Sequence, residues 1–119
     1  MAPIYRGPVY VLVDAADSSA TFLFASLLRQ AHRGALVGEP TGGNQRGING
    51  GAFFFLHLPR SGLAVDIPLI GYFPARFAPD SGLNLDIFVR PTPADSAAGR
   101  DVALAAVRAD KTPADKRAP

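Results

Sequence analysis

The sequence predicts an α/β fold, and three observations carry that expectation. Val9 to Val13 is a continuous apolar run of strand length, rich in β-branched residues and closed by Asp14, Ala15 and Ala16. This is the pattern of a buried parallel strand. Ala20, Leu23, Phe24, Leu27, Leu28 and Ala31 then recur at helical spacing, painting one apolar stripe down a helix of about three turns. Beyond Gly34, the run Ala35-Leu36-Val37 completes a βαβ unit whose crossover is expected to be right-handed.

The remaining elements follow in chain order. Met1 to Arg6 leads into the first strand, and the helix is expected to stop at Gly34 in a left-handed conformation, with Arg33 at the negative end of its dipole. Glu39 to Gly51 reads as a loop, since five glycines lie among polar residues. Ala52 to Leu58 and Leu63 to Leu69 are strand-like runs joined by Pro59-Arg60-Ser61-Gly62, a link that suits a hairpin. Pro68 cannot donate to a ladder, which puts the second run at an edge. Gly71 to Asn84 is irregular, Leu85 to Val89 is a last short strand, and Asp95 or Ser96 caps a helix running to about Ala109. Residues 1–109 are thus expected to form one folded unit and 110–119, rich in Pro, Ala, Asp and Lys, a disordered tail.

Composition narrows the function classes. With 48% hydrophobic and 18% charged residues, the 119-residue chain has an ordinary globular balance. Its net charge of +2 is spread over scattered arginines with no basic stripe, so nucleic acid is not an expected partner. No cysteine is present, which excludes disulfides, thiolate zinc sites and a cysteine nucleophile. No run of about 18 apolar residues and no signal peptide is encoded. Both lysines, Lys111 and Lys116, lie in the tail, so the folded part offers no lysine base. No metal site and no cofactor are predicted.

The chemistry is expected at the strand-to-helix turn. A serine there stands at the carboxyl edge of the sheet, beside helix N–H groups that could receive an oxyanion. From the local pattern alone, Asp17, Ser18 or Ser19 is first of all a plain N-cap, since these residue types lead the N-cap ranking. Gly38 and Gly43 stand at phosphate-loop spacing, but the Lys-Ser/Thr that must follow is absent, for the chain continues Asn44-Gln45. The glycine-rich loop therefore either lines a cleft or is an irregular connection. His57 is a single histidine in an apolar strand, which usually means a structural residue. His32 is accounted for by the helix dipole. Phe53, Phe54, Phe55, Tyr72, Phe73 and Phe77 are by default core residues, with a ligand groove as their other use.

Val9 to Asp14, Ser19-Ala20 opening a helix, Ala35 to Gly43 (Ala-Leu-Val-Gly-Glu-Pro-Thr-Gly-Gly), Leu58 to Gly62 and Gly82 to Ile87 occur in that order. Together these segments, over about residues 7 to 108, resemble the C-terminal processing (tail-specific) serine peptidase family, in its tricorn-like branch. The resemblance implies a Clp protease/crotonase-like superhelix of ββα units, with Ser19 as nucleophile and the Ala20 N–H as an oxyanion donor. Gly42, Gly43 and Asn44 would border the substrate cleft. It also marks departures: the processing branch has its lysine base where this chain has Asn44, and the tricorn-like branch uses an upstream histidine with no counterpart here. Asp80, shortly before Gly82 to Asp86, is the counterpart of that branch's acidic residue, or else a turn residue.

The chain is accordingly expected to be the C-terminal portion of a peptidase catalytic domain, acting on peptide or protein substrates and weakly active or inactive alone. A non-catalytic peptide- or ligand-binding module on the same scaffold is the alternative. Apolar surface left by absent strands would be covered by a homo-oligomer or by an N-terminal part of the domain. A periplasmic or secreted location is what the resemblance suggests.

Overall fold

A computed structural model describes residue 5 and residues 7–111. The described elements are β1 (Tyr10–Val13), α1 (Ser19–Gln30), β2 (Ala35–Gly38), β3 (Ile48–His57), β4 (Ala64–Tyr72), β5 (Ile87–Phe88), α2 (Pro93–Ala97) and α3 (Val102–Ala109). The tail expected to be disordered lies outside the described residues from 112 onward.

β1, β2 and β5 form a parallel sheet in the order β1-β2-β5. The central strand is the apolar run Ala35–Gly38, buried throughout, with Leu36 and Val37 fully enclosed. β1 was expected to be buried on both faces, but as an edge strand it buries Val13 and leaves Leu12 largely exposed. Val13, Phe22, Ala25, Leu36 and Leu83 make the core, with Val11, Ile48 and Leu85 packed around them.

Three expectations about the helices are corrected. The stripe read from Ala20 to Ala31 is not the buried face: Phe22 and Ala25 face the sheet, while Leu23, Phe24 and Leu27 are exposed. α1 is apolar on two sides, and the side carrying the small Ala25 allows the closest approach to β2. Its left-handed stop is His32 (φ 49) rather than Gly34. His32 N–H bonds the Arg29 carbonyl and Arg33 N–H the Leu28 carbonyl, both at 3.0 Å, which is the doubly bonded Schellman closure. The single helix expected up to Ala109 is two, each with its own cap. Thr92 and Asp95 form a capping box on α2, Asp101 caps α3, and Gly99 (φ 63) breaks the chain between them.

The hairpin is present but longer than expected. β3 starts at Ile48 inside the stretch read as loop and bulges between Gly50 and Phe53, where it faces β4. Of the five-residue strand expected at Leu85 to Val89, only Ile87–Phe88 is ladder. Asp86 is used otherwise: its carboxylate accepts from the Leu36 N–H at 2.8 Å and meets Arg29 of α1 at 3.3 Å. The aromatic residues expected in the core are outside it. Phe53, Phe54, Phe55, Tyr72, Phe73 and Phe77 are all exposed, because β3 and β4 pair only with each other among the described residues. The radius of gyration is 18.1 Å, where a compact chain of this length has roughly 13–14 Å. No helix among the described residues is long and apolar enough to cross a membrane.

Thr41 is the buried polar residue of the core, and its Oγ1 accepts from the Leu83 N–H at 2.9 Å. Thr41→Val keeps the shape and strands that donor, so the folded state is expected to lose about 1–3 kcal/mol, read as a lower urea midpoint.

Candidate active site

The β1–α1 turn is built by its own aspartates. Asp14 N–H donates to Asp17 Oδ2 at 2.9 Å, Ala16 N–H to Asp14 Oδ1 at 2.7 Å, and Asp17 N–H to the Asp14 carbonyl at 3.1 Å. Side-chain acceptors thus fix the backbone that leaves the sheet. Ser18 takes the N-cap position but makes no side-chain cap bond. Ser19 follows as the first helical residue with φ 50, a left-handed conformation that costs a residue with a Cβ about 1–2 kcal/mol. Its side chain is exposed and makes no hydrogen bond among the described residues. The first bond across the new helix runs from Phe22 N–H to the Ser18 carbonyl at 3.4 Å, so the Ala20 N–H, two residues earlier in the first turn, is left without an intrahelical acceptor.

The loop after β2 packs directly against this turn. Gly42 and Gly43 N–H groups both donate to the Asp17 carbonyl, at 3.0 and 3.3 Å. The approach requires glycine: a methyl group at Gly42 would strike the Ala15 carbonyl and one at Gly43 the Phe22 ring. On its far side the same loop is stitched to residues 80–83. Asn44 Nδ2 donates to Asp80 Oδ1 at 2.5 Å, Arg46 meets Asp80 Oδ2 at 3.1 Å, and Gln45 bonds the Ser81 and Gly82 carbonyls at 2.9 and 2.8 Å. A third wall is β3, where the β-carbon position of Gly50 lies 3.8 Å from Ser19 Oγ.

Ser19, Ala20, Gly42 and Gly43 are therefore brought together at one end of the parallel sheet. Asn44 and Asp80, 36 residues apart in sequence, pair with each other. Asp80 makes no hydrogen bond to Ser19 among the described residues, and both its oxygens are engaged by Asn44 and Arg46. His57 lies on the exposed hairpin and His32 at the far end of α1. The bracing by Asp14 and Asp17 went unread in the sequence, although the Asp-x-x-Asp spacing at a strand end carries the signal of an Asx-type turn. Gly50 gave no local sign of its place beside Ser19.

A cleft of about 270 Å³ adjoins the turn at the carboxyl ends of β1 and β2, with Asp14, Asp17, Glu39 and Asp101 among its lining. Its acids already hold partners: Glu39 pairs with Arg90, and Asp101 caps α3. Among the described residues no group of His, Asp and Glu could hold a metal ion.

The model of a known protein family, described as Peptidase family S41, matches residues 2–74. The matched stretch contains Ser19, Ala20 and the Gly42–Asn44 loop and ends before Asp80. No curated protein matches the chain.

The strain at Ser19 is measurable by substitution. Ser19→Gly is expected to raise unfolding stability by about 1 kcal/mol by relieving the left-handed conformation, whereas Ser19→Ala, which retains a Cβ, should leave it nearly unchanged. Urea titrations of the three proteins check this.

Proposed function

The chain belongs to peptidase family S41, and on that premise we propose that it acts as a serine peptidase with Ser19 as the nucleophile. The observation that carries the reading is the backbone of Ser19 itself, an exposed serine at φ 50 on a strand-to-helix turn. Such strain persists only where surrounding bonds impose it, and it marks sites where a side chain must be presented at an unusual angle. In this reading Ser19 Oγ attacks the peptide carbonyl carbon and the Ala20 N–H receives the oxyanion. The amine then leaves to give an acyl-enzyme, which water hydrolyses. Gly42, Gly43 and Asn44 form the loop on the substrate side of Ser19, outside the lining of the 270 Å³ cleft, and Asp80 acts as the acidic partner by holding Asn44 and Arg46 in position.

The proton of Ser19 Oγ needs an acceptor. Asn44 has no basic lone pair, and the Asp80 carboxylate is already bonded twice. The base is therefore assigned to polypeptide beyond these groups, in keeping with a C-terminal portion of a tail-specific, tricorn-like catalytic domain of the Clp protease/crotonase-like fold. The mixed α/β architecture is compatible with that assignment. A non-catalytic binding module on the same scaffold draws no support from the family match.

Fluorophosphonate labelling of the purified chain, read by peptide mass spectrometry, tests the nucleophile. Labelling confined to Ser19 and lost in Ser19→Ala is the expected result, with amide hydrolysis remaining weak. Absence of label on a chain shown by circular dichroism to be folded, persisting once the upstream part of the domain is supplied, would overturn the assignment.

A further inference from the structure

The exposed apolar surface of this chain is concentrated on the β3–β4 hairpin, and the two edges of that hairpin differ in kind. Leu58 N–H donates to the Leu63 carbonyl at 2.8 Å. Bonded and open pairs alternate along an antiparallel ladder, so Leu56–Val65 and Phe54–Ile67 are bonded pairs. Phe53–Pro68, Phe55–Asp66 and His57–Ala64 are then open ones. Open-pair residues direct their N–H and C=O groups away from the partner strand. On β4 that outer row is interrupted by Pro68, which has no N–H, and carries the charge of Asp66. Both are devices that keep an edge from pairing. On β3 the outer row is Phe53, Phe55 and His57, and residues 52–58 include no Asp, Glu, Lys, Arg or Pro. Beyond the bulge between Gly50 and Phe53, this edge carries neither a charge nor a proline.

We infer that the β3 edge is a self-association site, at which β3 of one chain pairs antiparallel with β3 of a second copy about a twofold axis at Phe55. Two hairpins become one four-stranded sheet, where an isolated two-stranded one is marginal. A twofold contact must be self-complementary, and this one is. Phe55 meets Phe55 and Phe54 meets Leu56, while the Phe53–Phe55 stack, with centroids 6.5 Å apart, lies beside its symmetry mate. Phe53, Phe54, Phe55, Leu56 and Leu58 along this edge are 39–56% exposed, and pairing would set them against their symmetry mates on both faces of the joined sheet. The inference is independent of the role of Ser19, since mass and cross-linking are read without reference to reactivity.

Light scattering across a concentration series is the test, with a cysteine cross-link to locate the axis. The folded chain is expected to have twice its 12.5 kDa mass. The sequence has no cysteine, so Phe55→Cys places a lone thiol at the axis. Cα atoms of a bonded antiparallel pair lie about 5.5 Å apart, within the disulfide range. Mild oxidation should therefore link Phe55→Cys chains into dimers several-fold faster than Arg60→Cys chains, whose thiol is at the hairpin turn. A folded chain that stays at monomer mass up to about 100 μM, far above the dissociation constants of standard interfaces, would overturn the inference. That result would leave the edge to another polypeptide or to an extended peptide. Equal linking at positions 55 and 60 would also overturn it.

Discussion

The parallel register of β1 on β2 is the constraint from which the rest of the site follows. Val13 lies opposite Gly38, so the two strands end level and their outgoing turns emerge side by side. That adjacency lets one carbonyl, of Asp17, accept from both Gly42 and Gly43. The buried central strand holds the register through Leu36 and Val37, and Asp86 reinforces it from the other side by taking the Leu36 N–H. A one-residue slip in that pairing would move the loop away from the turn and remove the acceptor on which both glycines depend.

The same arrangement explains why a serine tolerates a left-handed backbone. Asp14 and Asp17 fix the turn before it, the loop holds the Asp17 carbonyl, and α1 starts immediately after it. Ser19 is the residue left to absorb the mismatch between a strand direction and a helix direction that are both set elsewhere. The cost of about 1–2 kcal/mol is small beside the burial that fixes those directions, since enclosing a residue such as Leu36 or Phe22 contributes about 1.5–3 kcal/mol each. Strain of this kind concentrates at one position because its neighbours cannot yield.

Much of this was legible in the sequence wherever local pattern and tertiary position agree. The β1–α1–β2 unit, the hairpin and the loop at Gly42–Asn44 were readable because apolar runs, helical spacing and glycine clusters act over a few residues. What failed did so for a physical reason. The stripe Leu23–Phe24–Leu27 satisfies helical periodicity as well as Phe22–Ala25 does, and periodicity alone does not say which of two apolar faces meets the sheet. Gly34 carries the helix-stop signal because glycine is the default left-handed residue, yet His32 takes the position first. The Asn44–Asp80 pairing spans 36 residues, a separation at which neither spacing nor composition carries a signal. Hydrophobicity places aromatic residues in the core, a rule that states where such residues usually go and not whether a given strand has anything to pack against.

The hairpin and the outer face of α1 raise one question from two directions. A chain whose hydrophobic composition matches a globular domain nevertheless keeps the aromatic side chains of its hairpin outside, and its extent of 58 Å goes with a hairpin that pairs with neither edge of the parallel sheet. Solvent does not favour that arrangement, so the surface is a statement about what completes the structure. The edge of β4, with Pro68 and Asp66, and the uncharged, proline-free edge of β3 beyond its bulge separate two possibilities that hydrophobicity alone would merge. Non-specific stickiness would leave both edges alike, whereas a built interface blocks one edge and opens the other. Pro68 and Asp66 on β4, set against Phe53 and Phe55 on β3, have the asymmetry of a built interface.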